Sequence, residues 1–352
     1  MKSFIGCDAH KKYSVFASMN EAGQKESCIR VGNDRYQLSR FLHTLPPGSP
    51  IGVESIGSWY WMIDEMEKAG HMPLLVNPGK AKLMMGQINK TDKLDAYGLA
   101  LLLRNGTLPT VWIPPRELRD QRELPRMRMA IVKVRTMLKN RIHASLAKYA
   151  IQITEVSDIF GMSGRAIMKR RLSELPPYTQ SSVEMQMKLL EQVEDHIEVC
   201  EKQIEDVIAK TPEMMLLMTL PGVGPILAVV TALEIGKIER FPSPQKLACY
   251  AGTVPRIKDS GGRIRFGKVR PDVNRYLKWA LVEAANVVVL NQARWPNRHV
   301  VRLYRRIMQR RGHGKAVVAV ARHLAEASYW MLRKSEPYKE PKNNEPVSST
   351  RK

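Results

Sequence analysis

Hydrophobic positions in the first hundred residues recur first with a period of two and then with a period near four. Phe4 to Asp8 is a short apolar run, Tyr13, Val15, Ala17 and Met19 alternate with polar residues, and a third run passes through Ile29 and Val31. Glu21-Ala22-Gly23 separates the second run from the third as a turn. Alternation of this kind buries one face of a strand, so a three-stranded meander is the expected opening. A helix follows from about Asp34 to Leu45, then a buried strand from Ile51 to Glu54. Trp59, Met62, Ile63 and Met66 sit at helical spacing before Gly70, and Leu74 to Val76 reads as a strand stopped by Asn77-Pro78. With a last helix carrying Asp92 and Asp95, the order is βββαβαβα.

The pattern then turns helical. Leu118 to Ile151 has a helical period apart from Pro125, and Val183, Met187, Leu190, Val193, Ile197, Cys200, Ile204 and Val207 recur at gaps of mostly four and three. That second series has the spacing of a coiled-coil seam, which closes either within one chain or between two. Leu220-Pro221-Gly222-Val223-Gly224-Pro225 separates two further helical patterns and is similar to a helix-hairpin-helix turn. A basic helix from about Arg298 to Arg311 and an apolar one from Ala316 to Met331 follow. Four parts are expected: residues 1–115 as an α/β domain, 116–210 as basic helices and coiled coil, 211–334 as a mostly helical domain, and 335–352 as a disordered tail rich in Lys, Glu, Pro, Asn and Ser.

Composition changes the picture mainly through charge. The 352 residues carry 56 Lys and Arg against 34 Asp and Glu, a formal net charge of +22, while 44% hydrophobic residues supply real cores and exclude a wholly disordered chain. The excess is concentrated in residues 116–172 and 256–323, and residues 183–210 are net acidic. A polyanion is the expected partner, lying along the middle basic helices and the C-terminal third. Few acids are interspersed among the cations of the first long helix, so Arg126, Arg128, Lys139 and Arg141 are expected to face nucleic acid. No apolar run approaches bilayer length, so no membrane is expected, and the protein is expected in the cytoplasm, associated with the nucleoid. Cys7, Cys28, Cys200 and Cys249 lie far apart without metal or disulfide spacing and read as reduced, mostly buried thiols.

Candidate chemistry sits in two places. Asp8 ends the first strand, Glu54 ends the fourth, and Asp92 and Asp95 lie three apart on one helix face. Clustered carboxylates repel one another unless a cation intervenes, and hard oxygen ligands suit Mg²⁺ or Mn²⁺ in phosphoryl chemistry. Spacing alone leaves the alternative open that Asp92 caps a helix and the others are ordinary strand-end acids. The second place is Asp259-Ser260-Gly261-Gly262, a surface turn or a mobile hydroxyl whose cations Arg256, Lys258, Arg263 and Arg265 would hold a phosphate. Gly222 and Gly224 either let backbone N–H groups approach a phosphate or serve a tight interhelical turn. His10, His143, His299, His313 and His323 are scattered and read as packing or phosphate-contacting residues.

The motifs Gly6-Cys7-Asp8-Ala9-His10-Lys11-Lys12, Val53-Glu54-Ser55-Ile56-Gly57 and Lys90-Thr91-Asp92-Lys93-Leu94-Asp95-Ala96, with Leu220 to Pro225, Arg240-Phe241-Pro242-Ser243, Tyr250-Ala251-Gly252, Ser260-Gly261-Gly262 and Asn274-Arg275-Tyr276-Leu277 downstream, resemble the DEDD transposases of bacterial insertion sequences, the one-ten family. The resemblance implies a ribonuclease H-like, RuvC-like first domain. It makes Asp8, Glu54, Asp92 and Asp95 the tetrad for Mg²⁺ or Mn²⁺, and Ser260 the nucleophile that joins DNA through a phosphoserine. It also implies that the element is excised and inserted under the direction of a non-coding bridge RNA pairing with donor and target DNA. Lys268 and Arg275 extend the expected nucleic-acid contacts. Four strands broken at one active site each imply a homo-oligomer, a dimer pairing into a tetramer. The sequence departs from the family at Ser55-Ile56-Gly57 and at Arg270-Pro271-Asp272-Val273. Two rivals remain: a metal-dependent, structure-selective endonuclease similar to a Holliday-junction resolvase, with water as nucleophile, and a non-enzymatic nucleic-acid-binding scaffold.

Overall fold

The computed structural model describes residues 3–86, 91–207, 211–269 and 272–341, with the side chains of residues 206, 207, 258 and 264 outside that description. Lys90 of the third acidic motif, Arg270-Pro271, the Lys258 side chain and the tail beyond Pro341 therefore lie outside the described residues. Two units divide the chain, residues 1–114 and 115–352.

In the first unit, β1 (Phe4–Ala9), β2 (Tyr13–Met19) and β3 (Lys25–Gly32) form an antiparallel meander. There follow α1 (Arg35–Leu42), β4 (Pro50–Glu54), α2 (Trp59–Lys68), β5 (Met72–Val76), α3 (Pro78–Met85) and α4 (Asp92–Arg104). The sheet order is β3-β2-β1-β4-β5, with β4 parallel to both β1 and β5. Strand periodicity then sorts the two faces. Ile5, Cys7, Phe16, Ile51 and Val53 pack with Leu38, Leu42, Met62, Ile63 and Met66 of α1 and α2, while Val15, Ala17 and Met19 pack with Ala96, Tyr97 and Ala100 of α4. Helix α3 was not expected. Asn77-Pro78 stops β5, but the Asn77 side chain also accepts from Lys80 N and Pro78 takes the first helical position, so one dipeptide both ends the strand and starts the helix.

The second unit begins with α5 (Arg116–Gln121) and α6 (Glu123–Ala147), in which Pro125 occupies the first turn, where its missing N–H has no intrahelical acceptor to lose. Helix α7 (Met162–Arg171) precedes the 31-residue α8 (Pro177–Val207). The apolar series on α8 closes within the chain, as Val183 and Leu190 join Leu138, Ile142 and Leu146 of α6, with Phe160, Met168 and Leu172 completing the core.

The acids between those apolar positions correct one expectation. Arg128 pairs with Glu201, and Lys139 Nζ lies 3.2 Å from Glu194. Arg126 turns inward and donates to both oxygens of the buried Glu234, at 2.8 and 3.1 Å. These three cations have acidic partners after all, 55 to 108 residues away along the chain, and of the three acids Glu234 is buried. Arg141 remains exposed, with Nε 3.4 Å from Gln186 Oε1.

The remaining elements are α9 (Pro212–Leu217), α10 (Pro225–Ile235), α11 (Pro244–Tyr250), β6 (Pro255–Ser260), β7 (Arg263–Val269), α12 (Arg275–Leu290), α13 (His299–Arg311) and α14 (His313–Lys334). Their core centres on Leu277, Leu281 and Ala285 of α12 and on Val320, Ala321 and Leu324 of α14. Gly222, at φ +79°, approaches α12 so closely that a Cβ there would lie 2.2 Å from the Ala284 carbonyl, a packing reason for glycine at that turn. Nothing stands within 4 Å of such an atom at Gly224. Residues 335–341, expected as the start of a disordered tail, fold back instead: Tyr338 N donates to Thr219 Oγ1 at 2.9 Å, and Glu340 accepts from His299 N at 2.9 Å, capping α13 from outside. No helix among the described residues is long and apolar enough to cross a membrane.

Candidate metal centre and serine hairpin

The centre is built on one close contact between β1 and α4. Gly6 presents only hydrogen to α4, which lets the helix lie on the strand at Ala96 and Ala100. Asp8 lies two residues further along that face of β1, and Asp92 lies one turn before Ala96. The helix starts where it does because Thr91 caps it, its hydroxyl accepting from Leu94 N at 3.2 Å. Asp92 and Asp95 both fall in the first turn, where the helix dipole favours negative charge.

One residue approaches both acids, and the sequence places it among those that pack or contact phosphate. His10 Nε2 lies 3.2 Å from Asp8 Oδ2 and 3.2 Å from Asp92 Oδ2. Among the described residues, Asp8, His10 and Asp92 form a group whose ligand atoms all lie within 4.8 Å of one another. Asp8 is buried, while Asp92 is nearly half exposed. A signal for His10 was present in the sequence: Asp8-Ala9-His10 returns to the same strand face after two residues.

Tyr13 fixes Asp92 from the next strand, its hydroxyl donating to Oδ2 at 2.9 Å. That bond, with the nearby charge of His10, holds the Asp92 carboxyl below the ordinary carboxylate range against a smaller opposing effect of desolvation, and raises the Tyr13 phenol. The Arg30 guanidinium stacks 3.5 Å from the Tyr13 ring centroid, and the His10 and Tyr13 rings are 4.8 Å apart.

Glu54 and Asp95 stand outside the tight group. Cys7 pairs with Val53 in the parallel β1–β4 ladder, so Glu54 follows in register beside Asp8 at the strand ends. Burial pushes the Cys7 thiol up, and the Asp8 and Glu54 carboxylates add to it. Asp95 lies three residues after Asp92 on α4 and is half-buried.

The donor set suits a divalent cation. His10 Nε2 is shielded from solvent yet too poorly aligned to hydrogen-bond either flanking carboxylate, which leaves a buried polar atom aimed between two acids. A cation in that gap would satisfy the nitrogen and neutralise the repulsion between the acids.

In the second unit, the Asp259 to Arg263 stretch is part of a β-hairpin rather than an irregular loop. Ser260 and Arg263 pair across β6 and β7, and Gly261 and Gly262 take φ +59° and +73°, the two positive values a type I′ turn requires. The Ser260 residue is exposed at the hairpin end, as are Arg256, Arg263, Arg265 and Lys268 along it, and Arg275 at the start of α12. Cross-strand neighbours Ile257 and Phe266 are also exposed, at 60% and 71%.

Comparison with known proteins adds the context. A family model of DEDD transposases of the IS110 type matches residues 5–151, and one described as the Transposase IS116/IS110/IS902 family matches residues 214–300. A probable family 20 transposase of Pseudomonas aeruginosa is 25% identical, the match covering 96% of this chain and 98% of its relative. The transposase for insertion sequence element IS1328 of Yersinia enterocolitica is 25% identical over 81% of this chain and 83% of its own. A pilin gene-inverting protein of Moraxella bovis is 26% identical over 91% of this chain and 88% of its own.

Proposed function

The chain belongs to the IS116/IS110/IS902 family of DEDD transposases, and on that premise we propose that it recombines the ends of its own insertion-sequence element through a phosphoserine link at Ser260. The observation that carries the reading is the convergence of Asp8 and Asp92 on one gap beside the solvent-shielded His10 nitrogen. A divalent cation held by Asp8, Glu54, Asp92 and Asp95 would neutralise phosphate charge and lower the barrier to displacement at phosphorus.

The chain's own residues supply the rest. The Ser260 hydroxyl loses its proton to a carboxylate or solvent as its oxygen bonds to phosphorus, and the phosphorus–oxygen bond to the departing strand breaks, with that oxygen taking up a proton. A hydroxyl of the new strand then attacks the phosphoserine and restores the serine, so the bond energy is conserved and no nucleotide is consumed. Exposed Arg256, Arg263, Arg265 and Lys268 would hold phosphates along the hairpin. Arg141, on the exposed side of α6, fits the same role. A bridge RNA pairing with donor and target DNA, and a tetramer formed from two dimers, complete the reading.

The test is recombination of the element's ends with its flanking non-coding transcript present. Ser260→Ala is expected to abolish both joined product and the covalent protein–DNA adduct, and Asp8→Ala to abolish both as well. Continued cutting by Ser260→Ala without an adduct would replace this reading with a hydrolytic endonuclease, and rearrangement by Asp8→Ala would leave the acids structural.

A further inference from the structure

The gap between Asp8 and Asp92 is not lined by oxygen alone, and the nitrogen in it is held as firmly as the acids. His10 follows β1 directly, and its backbone N–H donates to Tyr13 O at 2.9 Å, while Asn33 donates to its carbonyl oxygen. These bonds close the β1–β2 turn and fix the Cα–Cβ direction of His10. The tilted Tyr13 ring, itself covered by Arg30, restricts the imidazole further. The result is an Nε2 equidistant from two carboxylate oxygens and hydrogen-bonded to neither. An imidazole placed only to pack would turn this nitrogen to solvent or align it with one acid. One placed as a counter-charge would align its N–H with a carboxylate oxygen.

We propose that His10 is a ligand of the bound cation, which makes the centre a mixed nitrogen–oxygen site favouring Mn²⁺ over Mg²⁺. The inference rests on the metal reading above and goes beyond it, since the four acids alone would give an all-oxygen site. Mg²⁺ keeps oxygen ligands and sheds water reluctantly, whereas imidazole donates well to later divalent ions, so one nitrogen shifts the preference between the two. Tyr13 is a positioning residue, acting through Asp92 and through the imidazole ring it abuts.

The test reads the metal itself, with Mn²⁺ alone added to the full chain. Pulsed electron paramagnetic resonance of the bound Mn²⁺ is expected to show ¹⁴N coupling, converted to ¹⁵N coupling when the unmutated protein is grown with ¹⁵N-histidine. His10→Gln is expected to remove the coupling and weaken Mn²⁺ binding at least tenfold, with Mg²⁺ binding changed less than threefold. Asp8→Asn is expected to weaken both ions. Bound Mn²⁺ without nitrogen coupling, or coupling that survives His10→Gln, would overturn the assignment of His10 and leave the carboxylate site standing. Failure of the unmutated protein to bind Mn²⁺ at all would overturn both.

Discussion

Gly6 of β1 lies directly beneath Ala96 of α4, so close that a β-carbon on Gly6 would stand 2.1 Å from the Ala96 carbonyl oxygen and 2.6 Å from Ala100 N. Backbone cannot yield as a flexible side chain can, so Gly6→Ala must push the helix off the strand. An overpacking cost of about 2–3 kcal/mol is expected, read as a lower urea midpoint. The same displacement would separate Asp92 from Asp8, so Mn²⁺ affinity is expected to fall in the folded variant. A variant that binds Mn²⁺ normally would show that α4 does not set the carboxylate spacing.

Tyr13→Phe removes one hydroxyl and little volume. In the folded protein the Tyr13 bond is the main cause of the lowered Asp92 pKa, so Asp92 stays ionised to lower pH than an ordinary carboxylate. Without that bond, the Asp92 titration midpoint is expected to rise, measured from the ¹³C shift of its carboxyl in metal-free protein. An unmoved midpoint would assign the lowering to His10 instead.

Glu234 is 2% exposed and sits among cations, with both oxygens accepting from Arg126, Arg122 Nε at 3.6 Å, and Asn274 Nδ2 donating at 2.8 Å. Glu234→Gln would leave buried guanidinium charge uncompensated, at an expected cost of about 3–5 kcal/mol by urea unfolding. Arg126→Gln is expected to cost less, since Glu234 keeps Arg122 and the Asn274 amide as partners. Loss of nucleic-acid affinity by Arg126→Gln at unchanged stability would return that arginine to the partner surface.

Those arginines show where sequence reading stops. The strands of the first unit were legible because period-two alternation is local, and the positions of Asp8 and Glu54 at or next to strand ends follow from it. Arg126 and Glu234 are 108 residues apart, and nothing local in a basic helix says that its acids arrive from another element. The two-residue spacing that returns His10 to the face of Asp8 gains its meaning only from Asp92, more than eighty residues away. Ser-Gly-Gly signals the turn, but the flanking strands β6 and β7 carry no such signal, because Ile257 and Phe266 are exposed and no buried face marks them. The return of residues 335–341 was hidden by a composition typical of disorder, although Tyr338 packs on the core and Glu340 caps α13.

That return carries a pH dependence. His323 is largely buried against His299 and Tyr338, and burial, reinforced by the charge of His299, pushes its pKa down to about 4, with Glu326 and Glu340 opposing. The folded state thus resists a proton that the unfolded chain takes up near pH 6.5. Stability from neutral His323 is complete above about pH 6.5 and is lost as pH falls toward 4, by about 3 kcal/mol across the window. Urea unfolding at pH 7 and pH 4.5 is expected to show that loss, reduced in His323→Gln. An equal loss in the variant would place the titrating group elsewhere.

The hairpin glycines separate turn geometry from mere flexibility at Ser260. Gly261 and Gly262 both hold positive φ, and a β-carbon at either meets nothing within 4 Å, so only backbone conformation restricts substitution. Asparagine enters this region readily, and Asn-Gly is the favoured type I′ pair. Gly261→Asn is therefore expected to keep adduct formation within about twofold. Valine at the second position opposes the same φ by about 1–2 kcal/mol and its branched side chain adds to that, so Gly262→Val is expected to lower the adduct yield about tenfold or more. The measurement is phosphoserine adduct trapped on element-end DNA, with thermal unfolding as the control for the rest of the fold. If Ser260 acts from a pre-shaped hairpin, the two variants diverge in this order. Equal, small losses in both would mean that the serine needs mobility alone.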